Sequence, residues 1–462
     1  MKIKPISNLL AALALGFIAY QPTQVFAQKN SSNDKGWHPL FDGKSLQGWK
    51  KLGGNAPYTI EANTIVGTMT KGTPNSFLVT EKEYGDFILE LDIKLEGDET
   101  NSGVQVRSHY DADRKKVYGR QVEVDPTTRA WTGGVYDEAR RLWLYPMDLN
   151  EAAKTAFKAN EFNHIRIEAI GDEMRTWVNN IPVSYVIDTL DRSGFIGLQV
   201  HSIPDKFDGK KVYFKDVKIQ TSNLKPQSFP ANVFVVNLKP NDLSQAEKKA
   251  GYALLFDGKN TDKWRSVRGD TFPIKGWKIA NGIISVAKSD GGEATNGGDI
   301  ITREQYGVFD LSFEFKLTPG ANSGVKYFVT LKEKAEGSAI GLEYQILDDQ
   351  LHPDAKKGRD GNRTLASVYD LIPSDKNPRA RRPIGEWNRG RLVVSKDNVV
   401  TYYLNGIKVN QFKRGSKEFR DLVAESKYKV WENFGEASEG HILLQDHGDS
   451  VSFRNIKIKK VK

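Results

Sequence analysis

Apolar and polar residues alternate one for one along much of this chain, most cleanly in Leu89-Glu-Leu-Asp-Ile-Lys-Leu95 and again through residues 392–395 and 399–404. A period of two puts successive side chains on opposite faces of a strand, so each such segment buries one face and wets the other. Asp42-Gly43, Asn281-Gly282 and Asn405-Gly406 are hairpin-type dipeptides, because these residues tolerate positive φ at little cost. Outside an N-terminal leader and a short stretch at 244–249, no segment carries a helical period. Many half-apolar strands need a second sheet to cover them. The pattern therefore predicts an all-β protein built from antiparallel sandwiches.

The pattern also repeats. Leu40-Phe41-Asp42-Gly43-Lys44 returns as Leu255-Phe256-Asp257-Gly258-Lys259, followed by Trp49 and Trp264. Asn101-Ser102-Gly103-Val104 returns as Asn322-Ser323-Gly324-Val325, Val135-Tyr136-Asp137 as Val368-Tyr369-Asp370, and Gln199-Val200-His201 as Gln445-Asp446-His447. Matches in one order over so long a period mean duplication of a whole domain rather than a solenoid. The expected organisation is a signal peptide at 1–27, a first sandwich at 28–221, a Pro-containing linker with a short helix at 222–249, and a second sandwich at 250–462.

Composition narrows the setting. Lys2 and Lys4, the apolar run from Leu9 to Ala19 and Val25-Phe26-Ala27 read as a cleaved secretory signal, which implies a periplasmic or secreted protein. The chain has no cysteine, so neither disulfides nor thiolate metal sites nor a lipid-modified N-terminal cysteine can form. Nothing after the leader approaches the length of a membrane helix, and no membrane anchor is expected. The 67 basic residues exceed the 58 acidic ones modestly and mostly alternate with them, which argues against nucleic acid. The one tight basic cluster is Arg379-Ala380-Arg381-Arg382, in a Pro-flanked loop.

Candidate chemistry follows from the period. Residues two apart share the concave polar face of a curved sheet. One strand offers Gln121 and Glu123 in the first copy and Glu343, Gln345 and Asp348 in the second, with amide and carboxylate exchanged. A second strand offers Arg107, where the second copy has Phe328 or Lys326. A third offers Gln199 and His201, or Gln445 and His447. A carboxylate alternating with apolar residues is ordinarily just a solvated sheet face; recurrence of Gln-x-His in otherwise divergent copies lifts the two histidines above that. Trp131, Tyr136, Glu138 and Arg140, with Tyr369 as the second-copy counterpart of Tyr136, make an aromatic and charged loop suited to sugar rings, which present C–H faces and hydroxyl rims.

Together with Glu343-Tyr344-Gln345-Ile346, Glu386-Trp387-Asn388 and Phe453-Arg454-Asn455-Ile456, these segments resemble the 3-keto-disaccharide hydrolase family over nearly the whole chain, most strongly in the second copy. The resemblance implies two tandem concanavalin A-like jelly-roll sandwiches acting on an oligosaccharide or glycoside. It implies cleavage of sugars oxidised at carbon 3: a base takes the acidified carbon 2 proton, the enolate is held, the carbon 1 substituent leaves and water adds. On that reading His447 or His201 is the base, Arg454 or Arg107 the enolate stabiliser, and Glu343, Glu123, Asp348 or Glu138 a proton donor or ligand. A divalent metal on histidine and carboxylates is the alternative to the arginine. A non-catalytic pair of carbohydrate-binding modules is the competing function. A laminarinase-type glucanase is a weaker one, since no strand carries its paired carboxylates cleanly.

Overall fold

The computed structural model describes residues 36–289, 295–331 and 339–461; the expected signal peptide lies outside them. Residues 36–462 form one compact unit. Its regular structure is almost all antiparallel strand, folded as two tandem sandwiches of the concanavalin A-like kind.

In the first half, the Phe87–Leu95 strand shows why the alternation matters. Leu89, Leu91, Ile93 and Leu95 are buried in the core while Glu90, Asp92 and Lys94 are half-buried on the other face. It lies between Asn163–Ile170 and Lys211–Gln220 in a nine-stranded sheet. The facing sheet has seven strands in the order Leu142–Tyr145, Val135–Glu138, Lys116–Val124, Ser102–Asp111, Phe195–Val200, Ser76–Thr80 and Trp49–Gly53. The second half repeats the plan with an eight-stranded sheet and a five-stranded sheet ordered Trp264–Ser266, Ile300–Thr302, His441–Leu444, Asn322–Thr330 and Ile340–Leu347. Among the described residues no strand of one repeat enters a sheet of the other.

The cores nevertheless meet. Buried apolar residues of both halves form one contiguous cluster. The segment between the repeats is welded in on both sides. Val236–Asn237 adds a parallel edge strand to Ile181–Ile187. The Gln245–Ala250 helix is closed by a capping box between Ser244 and Glu247, and the buried Glu247 carboxylate pairs with the buried Lys457 of the second sandwich while accepting from Asn237 at 2.8 Å. Asn405-Gly406 is a hairpin turn as expected, and its glycine also permits a close approach: a Cβ there would lie 2.8 Å from Cδ of Pro146 in the first half.

A second helix, Lys417–Glu425, was not anticipated. Ser416 Oγ accepts from the Phe419 backbone N–H at 3.2 Å, and Phe419 stacks on Phe412 with ring centroids 5.8 Å apart. Phe419, Leu422 and Val423 stand at i, i+3 and i+4 between charged residues, a helical period short enough to be passed over among the strands around it.

Candidate active site

The seven-stranded sheet bends around a cleft of about 510 Å³ lined by Asn75, Asn101, Gln121, Glu123, Asp125, Thr127, Arg129, Tyr136, Glu138, Trp143, His201 and Arg379. Strand register builds it. Gln121 stands opposite Gln105 on one side and Tyr136 on the other, and Glu123 stands opposite Gly103. Gly103 makes room for Gln121: a Cβ there would lie 2.4 Å from the Gln121 Cδ. The space it leaves lets a chain of amides lie flat along the floor. Ser108 Oγ donates to Gln105 at 2.7 Å, Gln105 Nε2 to Gln121 at 2.7 Å, and Gln121 Nε2 to Glu123 Oε2 at 3.0 Å. Asn101 Nδ2 at 2.7 Å and Arg129 Nη2 at 3.1 Å complete Glu123 through Oε1. Burial pushes the Glu123 carboxyl up, against the pull of Arg129 and its donors.

Two further groups carry proton chemistry. Burial pushes the Glu138 carboxyl up to about 7, against Asn75 Nδ2 at 3.4 Å. Asn75 also accepts from the Ser202 backbone N–H at 2.8 Å, which ties Glu138 to the end of the His201 strand. His201 Nδ1 bonds the carbonyl of Ser202. A carbonyl only accepts, so Nδ1 is the donor, and in the neutral imidazole Nε2 is the nitrogen that accepts. The rim is aromatic: Tyr136 and Trp143 have ring centroids 5.1 Å apart, and the buried Trp131 supports Trp143 edge-on at 4.5 Å. Gln199 shares the inner face by register, and neither end of its fully buried amide has a hydrogen-bond partner among the described residues.

Several expected residues stand elsewhere. Arg107 is not on the concave face. The strand bulges between Val106 and His109, Arg107 takes φ of 48°, and the broken alternation sends its guanidinium to the carbonyls of Gly85, Gly171 and Ala169 and to Asp86 at 2.8–2.9 Å. Phe328 has the same φ region at the equivalent bulge. Arg454 lies on the other sheet of its sandwich, donating to Glu314 at 2.6 Å over the Trp387 ring. Arg140 is spent on Asp137 and Asp191. Trp131 is buried behind the rim. Asp348 folds a turn, accepting the backbone N–H groups of Gly320, Gln350 and Leu351.

In the second half Gly324 faces Gln345 and Lys326 faces Glu343, the first-half arrangement with acid and amide exchanged. The Gln345 amide, oriented to satisfy both ends, donates to Glu343 Oε1 at 3.0 Å and to the Ser323 carbonyl at 3.1 Å. Tyr369 donates to Asp354 at 2.8 Å beneath the Lys427 ammonium, 4.3 Å from the ring. Gln445 is buried, and it follows the His441–Leu444 strand, its N–H bonding the Gly324 carbonyl at 3.0 Å. His447 stands edge-to-face with His352, ring centroids 6.2 Å apart; burial and then His447 push the His352 imidazole down. Among the described residues no three His, Asp or Glu side chains gather as a metal-holding set. Asn75, Asn101, Arg129 and Arg379 were missed, since loops and the opposite repeat bring them in and no strand period marks them.

Fold and cleft define a tandem β-sandwich protein with a polar, aromatic-rimmed concave site. The chain belongs to the 3-keto-α-glucoside 1,2-lyase-like domain family, whose model matches it twice, at residues 36–220 and 251–459. A 3-keto-disaccharide hydrolase of Bacteroides thetaiotaomicron is 40% identical over 230 residues, 45% of this chain and 78% of the relative. A solved structure from Parabacteroides distasonis, assigned as a glycosyl hydrolase, is 30% identical and covers 48% of this chain and 100% of its own, with a TM-score of 0.43. A carbohydrate-binding module from Bacillus subtilis is 20% identical over 37% of this chain and 95% of its own, with a TM-score of 0.27. No helix among the described residues is long and apolar enough to cross a membrane.

Proposed function

We propose that this chain is an exported glycoside hydrolase that cleaves the glycosidic bond of 3-keto-glycosides in the first-half cleft. The observation that carries the reading is the meeting of His201, with Nε2 left as the acceptor, and Glu138, a carboxyl held near neutrality, around one cleft. His201 Nε2 takes the carbon 2 proton, and the electron pair moves into the carbon 3 carbonyl as an enolate. Collapse of the enolate forms the carbon 1–carbon 2 double bond and breaks the bond from carbon 1 to the glycosidic oxygen, which takes its proton from Glu138. Water then adds at carbon 1, giving a proton to the Glu138 carboxylate, and carbon 2 recovers the proton held on His201. The sum is hydrolysis with both groups restored. Ordinary paired-acid glycosidase chemistry is not needed, because the ketone supplies the acidity.

Purified protein given a 3-keto-glucoside and the matching unoxidised glucoside should turn over only the first. His201→Ala should then lose about 10²–10⁴-fold in kcat, the usual worth of a positioned general base, with little change in melting temperature. Binding of sugar without turnover of either would make the chain a pair of carbohydrate-binding modules. An intact rate in His201→Ala would move the base to the second half, where His447→Ala is the matching change.

A further inference from the structure

An enolate formed beside Glu123 and Asp125 needs a positive group at its oxygen, since carboxylates near it oppose the charge. The inference below rests on the ketosugar reading. Neither Arg107 nor Arg454 reaches the cleft, and two arginines do line it, Arg129 and Arg379. Arg129 is already neutralised: Nε donates to Asp125 at 2.6 Å and Nη2 to Glu123 at 3.1 Å, and the guanidinium lies 4.5 Å over Trp131.

Arg379 comes from the other repeat. It belongs to the Arg379-Ala380-Arg381-Arg382 cluster, which the fold otherwise explains only in part. Arg381 pairs with Asp349 at 2.6 Å, and Arg382 Nη2 donates to the Trp143 carbonyl in the first half at 3.4 Å. Arg379 itself is exposed at the rim, with no ion pair for its guanidinium among the described residues. Its backbone is nonetheless held. Its N–H donates to Asn377 Oδ1 at 3.0 Å, and the carbonyl of the buried Ala380 accepts from Asn405 Nδ2 at 2.8 Å. The strand that follows the loop, Asn388–Val394, is anchored across the interface too, by Arg389 Nη2 on the Leu144 carbonyl at 2.7 Å. A cation with an anchored backbone and an unspent charge, facing a cleft crowded with carboxyls, is the arrangement that electrostatic stabilisation requires.

We propose that Arg379, delivered from the second repeat, is the cation that meets the enolate oxygen in the first-repeat cleft, so that one active site is shared between the two copies. On this view the second copy completes the first, which gives the duplication a mechanical reason.

The test uses the full chain with p-nitrophenyl 3-keto-α-glucoside. Arg379→Ala should lower kcat by about 10²-fold, the scale of a removed oxyanion donor, without lowering the melting temperature. Arg379→Lys should regain part of the rate, because it keeps the charge and loses the fork. A kcat for Arg379→Ala within about twofold of the parent overturns the proposal, whatever happens to KM. Absence of turnover in the parent protein counts instead against the ketosugar activity. Phenylglyoxal labelling mapped by mass spectrometry then decides the shared site: protection of Arg379 by the same ketosugar supports it, and unchanged labelling overturns it.

Discussion

Glu138 sits where a carboxyl is hardest to ionise, half-buried beside Tyr136 and with the Glu123 charge nearby, and burial raises it from an ordinary carboxyl value to about 7. The native chain therefore binds this proton more tightly than the unfolded chain does. Between about pH 4.5 and 7 the unfolded carboxyl has ionised while the native one has not, so stability falls as pH rises through that window and levels off above it. Glu138→Gln removes this contribution. The melting temperature of the parent relative to the variant should drop from pH 4.5 to pH 7 and change little beyond. As general acid, Glu138 must be protonated, so kcat/KM should decline above about pH 7, and Glu138→Gln should lose that limb together with most of the rate. A variant that keeps the same alkaline limb would take the proton-donor role away from Glu138. Much of the cleft was legible residue by residue: period two and recurrence picked out Gln121, Glu123 and His201, and the crowding of aromatics and charges in one loop picked out Tyr136 and Glu138, all of which line the cleft. The same counting failed at Arg107, because one bulged position inverts every face assignment that follows it.

At the scale of elements, the cleft floor depends on a strand that lacks a side chain at one point. Gly103 lets Gln121 lie between Gln105 and Glu123, and the second copy keeps the device at Gly324, where a Cβ would lie 2.3 Å from Glu343 Oε1. Gly103→Ala should displace the Gln121 amide, break its bond to Glu123 and lower kcat. Global stability should suffer less than from a core overpacking, because a side chain rather than backbone gives way. A crystal structure of the variant would show the amide moved; an unmoved amide with full activity would remove the floor from the mechanism. The Lys417–Glu425 helix teaches the complementary lesson. A single cap and a few apolar residues suffice for a helix when a neighbour such as Phe412 supplies the packing surface.

At the scale of the whole molecule, the two sandwiches have separate sheets and a joined interior. The linker strand extends one sheet, its helix pairs with Lys457 of the other half, and Arg382 and Arg389 bond carbonyls of the first-half rim. Calorimetry should therefore show one unfolding transition, with calorimetric and van't Hoff enthalpies in agreement; two resolved transitions would mean that these contacts do not couple the halves. What the sequence determined by itself was local and periodic: strands from alternation, turns from Asn-Gly, duplication from recurrence, and through them the sandwich fold. What tertiary structure decided was which loops converge. Arg129 and Asn75 reach the cleft on loops of the first repeat, and Arg379 on a loop of the second that packs against it, distances in space that no spacing along the chain encodes. The physical reason is that a strand's period is set by its own backbone geometry, whereas a cleft wall is set by contacts between segments far apart in sequence.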